Sequence, residues 1–204
     1  MVMNKIKVIS WNINGIQNPV KRFKVLSHLK SLDCDIALLQ ETHLSKEESL
    51  KLKQRWVGQI FFSPGTSASK GVCILIAKKI LFTVLDVITD KEGRWVIVSG
   101  ELENNKIILM NLYAPNLAQA SFLTSINVLL TQFKNIPLLV GGDFNLVSNA
   151  LMDRSSPPLP ADKSLSQAFK ELLETQSIND VWRLFNTKSR EYTFYSKSHN
   201  SYSR

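Results

Sequence analysis

Short apolar runs alternate with stretches of helical spacing along the chain. Ile6 to Trp11 is β-branched and apolar and reads as a first strand. Pro19 suits the first turn of a helix, and Val20, Phe23, Leu26, Leu29 and Leu32 follow at helical spacing with lysines and an arginine on the other faces. Ile36 to Leu39 is a short buried strand. Ser45, with Glu48 three residues on, predicts a capping box for a second helix. Strand-like runs follow at residues 59–62, 72–77, 81–88, 94–99 and 107–113. Lys78-Lys79, Glu92-Gly93 and Asn104-Asn105 supply turn signals between the later ones. Phe122 to Phe133 predicts a long amphipathic helix that Pro137 separates from a buried strand at Leu138 to Val140. Residues 165–173 predict a further helix and 192–195 a late strand. Tight turns mixed with helical connections predict one domain over residues 1–204, with mixed sheets in a layered α/β or α+β arrangement.

Composition changes this picture little. A length of 204 residues suffices for one domain with a sizeable core, and 44% hydrophobic with 21% charged residues is ordinary for a globular chain. Cys34 and Cys73, both in apolar contexts, read as free thiols of a reducing compartment rather than as a disulfide framework. No apolar run reaches membrane-spanning length, and the N-terminus has no signal-peptide core. The net charge of +8 favours a polyanionic partner, although no single basic block dominates.

Candidate chemistry collects where apolar strands end. The stretches are Ser10 to Gly15, Leu38 to His43, Leu112 to Asn116 and Gly141 to Asn145. Taken singly each is weak, because Asn or Asp after a strand is most often a turn residue and Gly141-Gly142 can be simple punctuation. Together they offer two carboxylates and two amides to one hard cation. Mg²⁺ takes oxygen ligands and keeps several waters, so one or two protein carboxylates serve it. A phosphodiester repels nucleophiles. A metal offsets its charge, a nearby carboxylate deprotonates water, and an amide donor binds transition-state oxygens without adding charge.

The order Asn14-Gly15, Gln40-Glu41, Tyr113-Ala114-Pro115-Asn116 and Gly142-Asp143-Phe144-Asn145 resembles that of the endonuclease/exonuclease/phosphatase superfamily, from about residue 6 onward. Within it, Leu39 to Leu44, Asp153-Arg154-Ser155, Glu191 to Ser196 and Tyr202-Ser203-Arg204 look like the endonuclease domain of long interspersed element (LINE) retrotransposons. The resemblance implies a four-layer sandwich, two mixed β-sheets face to face with helices outside. It implies a Mg²⁺ cofactor, with Mn²⁺ as the alternative, held by Glu41 with Asp143 and Asn145. Asn14 would support the metal or phosphate site, Tyr113 would lie beside the scissile phosphate, Asp143 would activate the nucleophile, and Asn145 would stabilise the transition state. Arg154 would contact phosphate, with a solvated loop residue as the competing reading, and Thr193 and Ser203 would lie on the DNA-facing surface. His43 could line the site or be a structural histidine, while His28 and His199 read as surface residues.

The family pattern continues past Ser203-Arg204 with an Ile-Asp pair, a further strand and a final Ser-Asp-His motif. The expectation is therefore a domain without its last strands, either part of a longer polyprotein or a decayed element, with weak or absent activity. The implied function is nicking of double-stranded DNA by a monomeric nuclear domain, linked to the reverse transcriptase region of the same polyprotein and not to a membrane. A phosphatase or repair nuclease of the same superfamily, and a non-catalytic nucleic-acid-binding remnant, are the alternatives.

Overall fold

The computed structural model describes residues 5–54, 56–197 and 200–204. The chain divides into two compact units, Met1–Tyr113 with Asn135–Phe144, and Ala114–Lys134 with Asn145–Arg204.

The first unit holds two four-stranded sheets. One is built from β1 (Val8–Asn12), β2 (Ile36–Gln40), β3 (Val57–Ser63) and β4 (Val72–Ala77), in the order β1-β2-β4-β3. The other has β5 (Phe82–Thr89), β6 (Trp95–Leu102), β7 (Asn105–Tyr113) and β8 (Leu138–Asp143) in sequence order. β1 runs parallel to β2 and β7 parallel to β8, while the remaining neighbours are antiparallel. Two helices, α1 (Pro19–Ser31) and α2 (Lys46–Leu50), complete the unit. Asn18 caps α1 through its side-chain oxygen and Pro19 occupies the first turn; Ser45 caps α2 by accepting from the Glu48 backbone N–H, as the capping pattern predicts.

Strand alternation explains the layering. Ala37 and Leu39 of β2, with Cys73 and Leu75 of β4, meet Val25, Leu26 and Leu29 of α1. The alternate residues Ile36, Leu38, Val72, Ile74 and Ile76 face Val96, Val98 and Leu109 of the second sheet. β2 and β4 are thus buried on both faces, which is why they read as unbroken apolar runs. Both cysteines are buried and free. Burial pushes the Cys34 thiol up to about 11 and raises Cys73 further.

One polar seam crosses this core. Gln40 and Asn111 are 1% and 0% exposed. Gln40 Nε2 donates to Asn111 Oδ1 at 2.7 Å, and Asn111 Nδ2 donates to the carbonyls of Leu39 and Cys73 at 2.9 and 2.8 Å. Buried amides with their partners in place fix one arrangement of two apolar sheets that could otherwise slide.

The second unit is mainly helical: α3 (Gln119–Leu130), α4 (Ala150–Asp153), α5 (Asp162–Gln176) and α6 (Val181–Phe185), with a short hairpin of β9 (Phe194–Ser196) and β10 (Ser201–Ser203). α3 packs on α5, and Gln176 Nε2 donates to Asn127 Oδ1 at 2.7 Å. The predicted helix to Phe133 ends at Leu130 and tightens into a 3-10 turn at Thr131–Phe133. The turn between β6 and β7 falls on Glu103 and Asn104, both with positive φ, one residue earlier than the Asn-Asn pair suggested, because Leu102 pairs with Asn105. No helix among the described residues is long and apolar enough to cross a membrane.

Candidate active site

Both parallel strand pairs finish in register. Asn12 pairs with Gln40 at the ends of β1 and β2, and Tyr113 pairs with Asp143 at the ends of β7 and β8. Parallel strands present their C-terminal ends on one edge, where the loops that follow carry exposed functional groups. Glu41 follows β2 directly.

The two sheets meet here through one side chain. Asn12 Nδ2 donates to Glu41 Oε1 and to Asp143 Oδ2, each at 2.8 Å. Tyr113 and His43 add to the same carboxylate: His43 Nε2 lies 3.2 Å from Glu41 Oε2, and the Tyr113 hydroxyl donates to Glu41. Burial works against the charge on Glu41, but the hydrogen bonds from Asn12, Tyr113 and His43 outweigh it and hold the carboxyl below its ordinary 4.5. For Tyr113, burial and then the neighbouring Glu41 push the phenol up to about 12, so its hydroxyl stays a donor at neutral pH. The Arg94 guanidinium lies 5.7 Å from the centre of the Tyr113 ring and its Nη1 donates to the Tyr113 carbonyl at 3.4 Å.

The loop after β2 is strained and tied down. Glu41 and His43 have φ of 51° and 54°. A left-handed conformation costs a residue with a Cβ about 1–2 kcal/mol. Backbone bonds from Gly15 to the Glu41 carbonyl, from Thr42 to Gly71 and from His43 to Lys70 hold it there. Gly141 and Gly142 are more than punctuation. A Cβ on Gly141 would come within 2.3 Å of Leu38 Cδ1 across the sheets, and one on Gly142 (φ +146°) within 2.0 Å of the Leu112 carbonyl oxygen.

The donor set fits a hard cation. Two carboxylates within reach of one amide supply oxygen ligands and leave room for waters, which suits Mg²⁺ or Mn²⁺. Among the described residues no group of three or more His, Cys, Asp or Glu is placed to hold a metal, so these residues do not offer an all-protein cage.

The remaining predicted residues make the following contacts. Asn14 is exposed with φ 44°; its backbone N–H donates to Asn12 Oδ1 at 3.1 Å and its carbonyl accepts from Lys21 Nζ at 2.8 Å. In the second unit, Asn145 Nδ2 donates to the Ala114 carbonyl at 2.7 Å, and the Asn145 carbonyl accepts from Gln119 Nε2 at 2.8 Å. Arg154 is partly buried and paired. Its guanidinium is 3.0 Å from Asp162, and its backbone bridges to Ser203. Thr193 is exposed and its N–H donates to the Ser203 carbonyl at 2.9 Å. His28 is exposed, as expected, and His199 lies outside the described residues.

The sequence profile of the endonuclease/exonuclease/phosphatase family matches residues 9–204. The chain belongs to this family. A transposon TX1 uncharacterized 149 kDa protein of Xenopus laevis is 32% identical over 192 residues, covering 93% of the chain and 14% of that protein. An exodeoxyribonuclease of Bacillus subtilis is 28% identical over 114 residues, or 54% of the chain and 43% of the relative. The chain therefore spans less than half the length of these relatives. An AP endonuclease of Leishmania major shares the fold with a TM-score of 0.75 at 17% identity, over 95% of this chain and 73% of that one. The transposon match agrees with the LINE-like motifs, and the mixed sheets agree with the expected fold.

Two residues at the candidate site, Asn12 and Arg94, are not among those the motifs mark. Asn12 was inside a named motif, and its signal was the alternation Ser10, Asn12 on the strand face opposite Trp11. Arg94 carried no signal beyond the Glu92-Gly93 turn before it.

Proposed function

We propose that this chain is a divalent-metal-dependent phosphodiesterase that nicks double-stranded DNA. The observation that carries the reading is the Asn12 amide bridging Glu41 and Asp143, with the Tyr113 hydroxyl on the same carboxylate. Mg²⁺, or Mn²⁺ in its place, would be held by Glu41 and Asp143 and would offset the charge of the phosphate.

The chain's own residues divide the remaining work. Asp143 accepts the proton of the attacking water at its carboxylate oxygen. Asn12 fixes the separation and orientation of the two carboxylates, so neither must reorganise during reaction. Tyr113, whose hydroxyl proton is given to Glu41, would lie beside the scissile phosphate. The family motif gives Asn145 the transition-state oxygens and Asn14 a supporting part. Arg154, Thr193 and Ser203 would face DNA through their backbone and hairpin rather than through a free Arg154 guanidinium.

DNA is favoured over a phosphorylated small molecule by the net charge of +8 and by the similarity to an exodeoxyribonuclease and a transposon protein. The 14% coverage of the transposon protein supports a domain working within a larger polyprotein, which would place it in the nucleus beside a reverse transcriptase region. The test is a substrate panel: supercoiled plasmid and a soluble inositol phosphate, each with Mg²⁺ and with EDTA. The panel includes this chain and a version extended along its reading frame, since the relatives are longer. Metal-dependent nicking without phosphate release supports the reading, and preferential hydrolysis of the inositol phosphate overturns it.

A further inference from the structure

A cavity of about 270 Å³ opens in the first unit, at the end of the β1-β2-β4-β3 sheet away from Glu41. Cys34 precedes β2 and Ala77 closes β4, and both line the cavity while 2% and 4% exposed. Trp56, partly buried, lines it as well. Its indole Nε1 donates to the Leu26 carbonyl at 3.2 Å, which fixes the ring. Burial keeps the Cys34 thiol protonated, so this part of the lining carries no charge at neutral pH.

Lys30, Lys78 and Lys79 stand around this apolar lining. Lys79 is occupied, by Asp33 at 2.6 Å and by Asp35 at 2.8 Å. Asp33, the carboxylate of the lining, is offset by that contact. Lys30 and Lys78 are exposed, and neither forms an ion pair among the described residues. An indole, a methyl group and a neutral thiol are thus combined with two uncompensated positive charges. The candidate metal centre at Glu41 and Asp143 uses none of these residues.

We propose that this cavity binds a small aromatic acid, a single ring carrying one phosphate or carboxylate group. The apolar lining takes the ring beside Trp56, and Lys30 and Lys78 take the acid, the usual division between an apolar pocket and its few polar anchors. The volume of about 270 Å³ lies just below the roughly 300–1,000 Å³ of pockets for drug-sized ligands, so one ring fits and a nucleic-acid strand does not. A lysine ammonium meets phosphate and carboxylate alike as a point charge, so the two acids share one chemistry here. Neither half suffices alone. Exposed lysines hold a bare anion weakly in water, and a neutral ring leaves both charges unused. This ligand goes beyond the nuclease reading and does not depend on it.

The test titrates the chain with phenyl phosphate, benzoate, inorganic phosphate and benzyl alcohol. Calorimetry gives the affinities, and the indole N–H resonance of Trp56, assigned through Trp56→Phe, reports the place of binding. Both ring acids should bind saturably, with dissociation constants of about 0.1–1 mM for ligands of about ten heavy atoms, and should shift that resonance. Inorganic phosphate and benzyl alcohol should bind at least about tenfold more weakly. Lys30→Gln combined with Lys78→Gln should weaken the ring acids about tenfold or more; both lysines are exposed, so the pair of substitutions removes charge without disturbing the core. Lys106→Gln, at an exposed position in β7, should change nothing. A preference for phenyl phosphate over benzoate, or the reverse, supports the proposal and tells which acid the site takes. A Trp56 resonance unmoved at about 10 mM ring acid would overturn it. So would inorganic phosphate binding as tightly as phenyl phosphate, or full affinity in the double lysine variant. If Trp56→Phe does not fold, the calorimetry and the lysine variants decide by the same criteria.

Discussion

Asn12 and Asp143 stand 131 residues apart and share a hydrogen bond of 2.8 Å, and the same amide nitrogen reaches Glu41. One side chain at the end of β1 thus sets the geometry of two carboxylates carried by different sheets. Replacing Asn12 with Ala should lower kcat by about 10²–10³, the range for losing one preorganised polar group, while stability falls by only about 1–2 kcal/mol. Steady-state nicking and thermal melting of the variant check both. A variant that nicks at the normal rate would remove Asn12 from the site.

The Gln40–Asn111 seam should matter for folding more than for chemistry. Asn111→Leu removes the donor of two buried carbonyls and the acceptor for Gln40, an expected loss of about 2–4 kcal/mol. The double variant Gln40→Leu with Asn111→Leu should lose less than the sum of the two single variants, because the Gln40–Asn111 bond is lost in each of them. Urea unfolding of the unaltered chain, Gln40→Leu, Asn111→Leu and the double variant gives the comparison. Strictly additive losses would show that the two amides do not act together.

Gly142 should resist substitution. Its φ of +146° and the close approach of Leu112 leave no space for a methyl group, so Gly142→Ala has to displace β8 just before Asp143. The expected outcome is lost activity together with a stability loss of about 2–4 kcal/mol. A melting curve like that of the unaltered chain would contradict it.

Acid should destabilise the second unit through Asp153 and Asp180, the two carboxylates that Arg204 joins. Burial raises the pKa of Asp153 and Asp180, but the bonds from Arg204 and other donors prevail, and both carboxyls lie below their ordinary 3.8. A depressed native pKa contributes stability that is fully present above the unfolded value and is lost as pH falls through the native one. The melting temperature should therefore be level with respect to these groups above about pH 5 and drop below about pH 4. Asp153→Asn should flatten the acid limb. An identical acid limb in that variant would exclude Asp153 as its source.

Much of this was legible in the residues, for physical reasons. β2 and β4 announce themselves because burial on both faces demands unbroken apolar runs, and α1 and α2 because their caps are encoded locally by Asn18 and Ser45. Glu41, Tyr113 and Asp143 stood out only through the order of the four motifs, since a polar residue after a strand is by itself most often a turn residue. Asn12 stayed hidden because its importance lies in the cross-sheet distance to Asp143, which no local pattern reports. The pairing of Arg154 with Asp162, and the cluster joining Asp153, Asp180, Arg183 and Arg204, also escaped. Buried ion pairs depend on tertiary packing, and in sequence their members look like surface charges.

The central claim is that Glu41 and Asp143 form a metal-dependent phosphodiesterase centre. The most direct measurement is relaxation of supercoiled plasmid by the unaltered chain and its reading-frame extension, with Glu41→Gln and Asp143→Asn versions of each, across Mg²⁺ titration and EDTA. The account predicts nicking that requires the metal and disappears in both substituted proteins. Nicking that survives EDTA or either substitution, or no nicking by any version at any metal concentration, would contradict it.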